Sequence, residues 1–141
     1  MTAFLLDVNV LIAMSWPSHR SHDAALRWFG ANHHRGWATC PIVEIGFVRI
    51  MSNPAFSPHA VRPQEAIRAL SISLQRPTHK FWADDLSAAE VLQILGTQIN
   101  GHQQVTDAYL VALAIHHGGK LATLDASVAQ WAPVKQVEVI K

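Results

Sequence analysis

Apolar residues fall in short blocks along this chain, and their spacing switches between strand and helix. Phe4-Leu5-Leu6 is too short and too uniformly apolar for a helix, which predicts a buried strand over 3–6. Val10-Leu11-Ile12-Ala13-Met14 continues into an apolar helix over 8–15, which Pro17-Ser18 breaks. Residues 19–31 place Ala24, Ala25, Trp28 and Phe29 on one side of an amphipathic helix. A strand is expected over 36–39, and Pro41 suits the first position of a helix running to 51, which Asn53-Pro54 ends. Pro58 and Pro63 bracket a loop before a helix over 63–75, and His79-Lys80-Phe81-Trp82 reads as a third strand. Ser87-x-x-Glu90 is a capping box that opens a helix to 95. Gly96 and Asn100-Gly101 mark a turn, and a helix over 103–117 stops at Gly118-Gly119. A strand over 121–124, a short helix over 126–131 and a strand over 136–140 follow. Strands alternating with helices predict a three-layer α/β/α sandwich around a mostly parallel sheet. With no repeat, linker or low-complexity tract, residues 1–141 are expected to form one domain.

Composition narrows the class. Half of the 141 residues are apolar and 15% charged, the balance of a globular chain. No apolar stretch approaches the ~20 residues of a membrane span. The first apolar run lacks a basic flank and is cut by Asp7, so it does not read as a signal peptide. The single cysteine, Cys40, excludes an internal disulfide and fits a reducing compartment, so the expected location is cytoplasmic. Ahead of a helix N-terminus its thiol pKa could be lowered, but no partner is evident and Cys40 reads as a small buried residue. A net charge of +1 is too balanced to argue for nucleic acid from bulk charge.

The acids carry more information. Asp23 has Arg20 and Arg27 one helical turn away, Glu65 has Arg62 and Arg68, Glu90 has its capping box, and Glu138 alternates outward on the last strand. Four others have no such cation. Asp7 and Asp125 end apolar strands, at the edge where open α/β sheets collect ligands. Glu44 and Asp107 lie in helices that are apolar nearly all round. Each has a bland reading: a helix N-cap for Asp7 and Asp125, a distant partner such as Arg49 for Glu44 and Asp107. Together the bland readings require four separate partners. Acids seldom go inside unless paired, protonated or bound to metal. Two carboxylates ~4 Å apart repel by about 4 kcal/mol at an effective dielectric of 20, so a cluster needs a cation. All-oxygen ligands select Mg²⁺ or Mn²⁺ over zinc, and such ions belong to phosphoryl chemistry. Gathering these four acids would leave six against eleven Lys and Arg elsewhere, a surface that favours a polyanion.

Leu5-Leu6-Asp7-Val8-Asn9-Val10-Leu11-Ile12, then Glu44, Thr106-Asp107-Ala108 and Ala122-Thr123-Leu124-Asp125 resemble the PIN-domain ribonucleases, most closely the VapC-type toxins of toxin–antitoxin pairs. Arg49 with Asn53-Pro54, Phe81-Trp82-x-Asp84-Asp85 and Gly101-His102-x-Gln104 resemble one branch of that family. The resemblance implies that Asp7, Glu44, Asp107 and Asp125 are metal-binding catalytic residues, with Asn9 and Thr123 in support. It also implies Mg²⁺- or Mn²⁺-dependent cleavage of RNA, homodimerisation, and inhibition by a cognate antitoxin whose tail enters the groove. The chain departs at Val8, where many relatives carry Thr or Ser.

Other side chains matter less at this level. Arg20, Arg27, Arg35 and Arg49 are candidate phosphate contacts, and His102 a candidate substrate contact. Nine histidines suggest zinc, but the adjacent pairs His33-His34 and His116-His117 lack a recognisable ligand spacing and read as surface or core residues. Asp84 and Asp85 read as a loop or cap, and the five tryptophans as mostly core. Two competitors remain. A haloacid-dehalogenase-type magnesium phosphohydrolase also begins with an Asp after a buried strand, but wants an acid where Asn9 stands. A non-catalytic RNA-binding or partner-binding module would keep the fold without turnover.

Overall fold

The computed structural model describes residues 2–96 and 99–141. Its sheet has five strands: β1 (Phe4–Leu6), β2 (Trp37–Thr39), β3 (His79–Phe81), β4 (Lys120–Thr123) and β5 (Val137–Val139). All pair in parallel, in the order β3-β2-β1-β4-β5. The central strand β1 is fully buried, because its uniform Phe-Leu-Leu run can be covered on both faces.

The helices are α1 (Val8–Ser15), α2 (His22–Asn32), α3 (Pro41–Met51), α4 (Pro63–Ser73), α5 (Ala88–Leu95), α6 (Val105–His116) and α7 (Val128–Trp131). Contacts run from α1 to α2 and α3 and from α3 to α4, while α5 packs on α6. The connections to β2 and β3 move one way across the sheet and the connection from β3 to β4 moves back. Right-handed crossovers therefore put the two helix sets on opposite faces, which gives the three-layer α/β/α sandwich.

Local signals set most boundaries. Pro41 starts α3 and Pro63 starts α4. The Ser87–Glu90 capping box closes reciprocally at 2.9 and 3.1 Å. The helix expected over 103–117 is instead a 3-10 turn at His102–Gln104 followed by α6. The helix expected from 19 starts at His22, since His19 closes a turn after Pro17. Of the turn read between Gly96 and Asn100, residues 97 and 98 lie outside the described residues.

Expected side-chain environments also shift in places. Glu138 is not simply solvated: it accepts a 2.8 Å hydrogen bond from the Trp28 indole. Trp37 and Trp82 are buried, whereas Trp16, Trp28 and Trp131 are only partly covered and pack around the core. Cys40 is buried, and loss of solvent pushes its thiol up to about 12, so it is an inert packing residue.

After α6, Gly118 adopts φ +73, the left-handed conformation that stops the helix, and Gly119 turns the chain into β4. A Cβ on Gly119 would lie 2.5 Å from the Ala3 carbonyl oxygen and 2.8 Å from the Trp82 ring. Gly119→Ala is therefore expected to lower stability by about 1–3 kcal/mol, the cost of an overpacked position. Urea unfolding of the variant checks this, and an unchanged midpoint would show that β1 and Trp82 can move apart freely.

Candidate active site

The strand order reverses direction between β1 and β4, so a crevice opens at their carboxyl ends. Asp7 and Asp125 follow those strands. Leu6 is in register with Ala122, which sets Asp7 beside Thr123.

Asp7 is 7% exposed and is held from several sides. One oxygen accepts from the Val8 backbone N–H at 2.7 Å, so the N-cap reading of Asp7 is correct as far as it goes. The other accepts from the Thr123 hydroxyl at 2.8 Å, with the Asn9 amide at 3.5 Å. Asn9 ties the two strand ends together: its amide N–H reaches the Thr123 hydroxyl at 3.2 Å and its carbonyl accepts from Leu124 N–H at 3.1 Å. Thr123 in turn accepts from the Asp125 N–H at 3.0 Å. Asp125 itself is exposed and accepts from the backbone N–H and hydroxyl of Ser127 at 2.9 and 2.7 Å. Asn9 and Thr123 thus form the polar frame of the site.

Asp107 arrives from the first turn of α6. That helix is buried at Ala108 and from Leu110 through Ala114, so its position is set by apolar packing, and Asp107 is carried to the crevice as a consequence. Asp7, Asn9, Asp107 and Asp125 line one recess of about 330 Å³, together with His19, Phe56 and apolar residues of α1 and α3. A second recess of about 540 Å³ meets it at Asp7 and Val8 and is walled by Ile42, Ile45, Gly46, Arg49, Asp84 and Thr106.

The electrostatics are those of an acidic site with no resident counter-charge. Burial raises the Asp7 carboxyl above its ordinary range, the Thr123 and Val8 hydrogen bonds pull it back, and Asp125 raises it further. Burial and the neighbouring charges of Asp7 and Asp125 push Asp107 up to about 6. Among the described residues the only ion pairs join Asp85 to His116 and His117, so no lysine or arginine neutralises the cluster. The distant-arginine reading of Asp107 therefore has no partner among those residues. An all-oxygen donor set that repels itself fits a hard divalent cation, but Asp7, Asp107 and Asp125 do not bring one oxygen each within 4.8 Å of the other two, so they would hold it in part through water.

Glu44 stands apart. Its carboxylate accepts from the Thr39 hydroxyl at 2.7 Å, and that hydroxyl also lies 2.8 Å from His79 Nε2. It is at the carboxyl end of β2 but does not line either recess. Burial lowers the His79 pKa and Glu44 pulls it the other way. Of the basic candidates, Arg49 lines the larger recess, whereas Arg35 lies over the Phe4 ring at 4.8 Å. His102 is exposed and lines neither recess.

Sequence reasoning missed Asp84, His19 and Phe56. Asp84 caps α3 through the Ile42 N–H at 3.2 Å while facing the larger recess. A cap is the role read for it, but its distance in sequence from α3 hides which helix it serves. His19 and Phe56 sit in connections, where no periodicity signals direction.

Residues 4–132 match the PIN domain family. Ribonuclease VapC39 of Mycobacterium tuberculosis is 44% identical over 142 residues, covering 99% of this chain and 100% of the relative. Ribonuclease VapC38 of the same organism is 44% identical, covering 96% of both chains. VapBC2 from Rickettsia felis, solved bound to a promoter DNA fragment, shares the fold with a TM-score of 0.68 at 15% identity, over 99% of this chain and 100% of that one. FitAcB from Neisseria gonorrhoeae aligns with a TM-score of 0.59 at 19% identity, over 98% and 96%. With the PIN family model matching residues 4–132 and 44% identity to VapC relatives over nearly the whole chain, the chain belongs to the PIN-domain family, in its VapC branch.

Proposed function

We propose that this chain is a divalent-metal-dependent endoribonuclease toxin that hydrolyses RNA phosphodiester bonds and is held inactive by a cognate antitoxin. The observation that carries this reading is that Asp7, Asp107 and Asp125 line one recess with no lysine or arginine paired to them among the described residues. Full-length VapC relatives named as ribonucleases support it. The phosphohydrolase alternative finds no support, since Asn9 is committed to joining the strand ends rather than to acid–base work.

Asp7, Asp107 and Asp125 would hold Mg²⁺ or Mn²⁺, and the bound ion supplies the positive charge that the reacting phosphate needs. The remaining steps belong to the protein. Thr123 and the Val8 N–H fix the Asp7 carboxylate, so it need not reorganise when the substrate binds. Ser127 fixes Asp125 in the same way. Arg49, on the wall of the larger recess, is placed to take a backbone phosphate of single-stranded RNA. Glu44, oriented by Thr39 at the neighbouring strand end, joins the acid set through solvent rather than by direct contact. The exposed side chains of Ile42 and Ile45 give the groove an apolar wall suited to an antitoxin segment. The working form is taken to be a homodimer in the cytoplasm. Among the described residues no helix is long and apolar enough to cross a membrane.

Cleavage of single-stranded RNA in Mg²⁺ or Mn²⁺ tests the reading. Asp7→Ala and Asp107→Ala should each lose ~100-fold or more in rate with the fold intact by circular dichroism. Cleavage that survives EDTA would defeat the mechanism. Glu44→Gln should lose less than Asp107→Asn in the same assay, and an equal loss would put Glu44 in direct contact with the ion.

Mg²⁺ or Mn²⁺ should also raise the melting temperature, with about 2.7 kcal/mol of stabilisation once the free ion exceeds its Kd ~100-fold. In EDTA the pH dependence has a definite sign. The folded Asp107 pKa of about 6 lies above the ordinary 3.8, so the folded state binds a proton more tightly between those values. Stability of the metal-free protein should fall as pH rises from 3.8 to about 6, and Asp107→Asn should weaken that dependence, the raised Asp7 supplying the remainder. A large destabilisation by Asp107→Asn, measured by thermal melting, would show the carboxylate to be holding a favourable contact instead.

A further inference from the structure

The far end of α6 carries a second group of ligand atoms. One atom each from Asp85, His116 and His117 lies within 4.8 Å of the other two, the only such trio among the described residues. His116 and His117 close α6, and Asp85 lies in the connection from β3 to α5. Asp107 is in the first turn of the same helix, at ~1.5 Å per residue about 14 Å away, so the two groups are separate.

Two features distinguish the trio from an ordinary ion pair. The Asp85 oxygens are 3.6 Å from His116 Nε2 and 3.4 Å from His117 Nε2. A charge-assisted N–H to carboxylate hydrogen bond closes to about 2.7–2.9 Å, and neither contact does. Tetrahedral zinc with bonds of about 2.0–2.1 Å sets its ligands ~3.3–3.4 Å apart, near both separations, although each histidine faces a different Asp85 oxygen and the carboxylate would turn to bring one oxygen to the ion. In addition, His117 Nε2 is buried and makes no hydrogen bond, although a buried ring nitrogen ordinarily has a partner.

The surroundings hold this arrangement. The His117 ring lies flat on Trp82, with centroids 4.6 Å apart and planes 10° from parallel, and Trp82 is itself packed against Gly119. The carboxyl end of α6 favours positive charge. Glu90 is close enough to feel His116 and Asp85, but its capping box with Ser87 keeps it from joining them.

We propose that Asp85, His116 and His117 form a zinc site, with solvent in the fourth position. Two imidazoles and one carboxylate suit a borderline ion such as Zn²⁺, whereas Mg²⁺ prefers oxygen alone. The two ends of α6 therefore select different metals. Asp85 and His116 side chains are 46% and 41% exposed, which leaves an open approach. Bound zinc ties the β3–α5 connection to the helix that carries Asp107, and this assignment does not depend on the nuclease reading.

The test uses the full, untagged chain in excess Mg²⁺, with Zn²⁺ titrated against a chromophoric chelator and thermal melting followed in parallel. A single equivalent should bind and raise the melting temperature. Asp85→Asn and His116→Gln, both at exposed positions that spare the Trp82 stack, should each weaken zinc by more than about 10-fold, the loss that removing even an outer-shell partner produces. Asp107→Asn should leave zinc affinity unchanged. Co²⁺ should give the strong visible bands of a four-coordinate site, lost in the same two variants. Zinc affinity unaltered by Asp85→Asn and His116→Gln, or abolished only by Asp107→Asn, would overturn the proposal and leave an ordinary histidine–carboxylate contact.

Discussion

Mutual repulsion between carboxylates is the constraint around which this fold is organised. Asp7, Asp107 and Asp125 meet at the end of the sheet with no lysine or arginine among the described residues to neutralise them. Left alone, such a group would spread into solvent or take up protons; burial first, and then the charges of Asp7 and Asp125, raise the Asp107 pKa in the second direction. What keeps the carboxyls together is apolar packing elsewhere. The Phe-Leu-Leu strand is pinned between two helix layers, and the buried face of α6 leaves Asp107 nowhere else to go. The core thus maintains a locally unfavourable charge arrangement that a bound proton or cation relieves.

The polar frame refines what the core imposes. Asn9 and Thr123 join the ends of β1 and β4 and aim Asp7 without adding charge. Two neutral side chains orient an acid here at little electrostatic cost. Val8 packs under α3 at Gly46, where a Cβ would come within 2.9 Å of its methyl. The apolar side chain lets the two helices approach next to the site.

Legibility from sequence varied with the range of the interaction responsible. Elements with local signals were readable: Pro41 and Pro63 at helix starts, the Ser87–Glu90 box, and glycines after α6. The acids that gather were visible because nothing one helical turn away neutralises them. Glu44 passed that same test yet has its nearest partners in Thr39 and His79, and a helical-neighbour test cannot detect partners on adjacent strands. Glu138 departs from a simply solvated acid for the same reason, since Trp28 is remote in sequence. His116-His117 looked unremarkable until the turn after β3 delivered Asp85.

By itself the sequence determined the alternation of strands and helices, the parallel layered architecture, and the presence of acids that a folding argument does not explain. Those follow from hydrophobic periodicity, capping chemistry and the cost of burying charge, all of which act over a few residues. Tertiary structure alone decided which acids share a crevice, which side chains line it, and which histidines find a carboxylate. These depend on strand order and helix packing, where groups tens of residues apart are brought together by the burial of apolar surface that carries no record of its polar passengers.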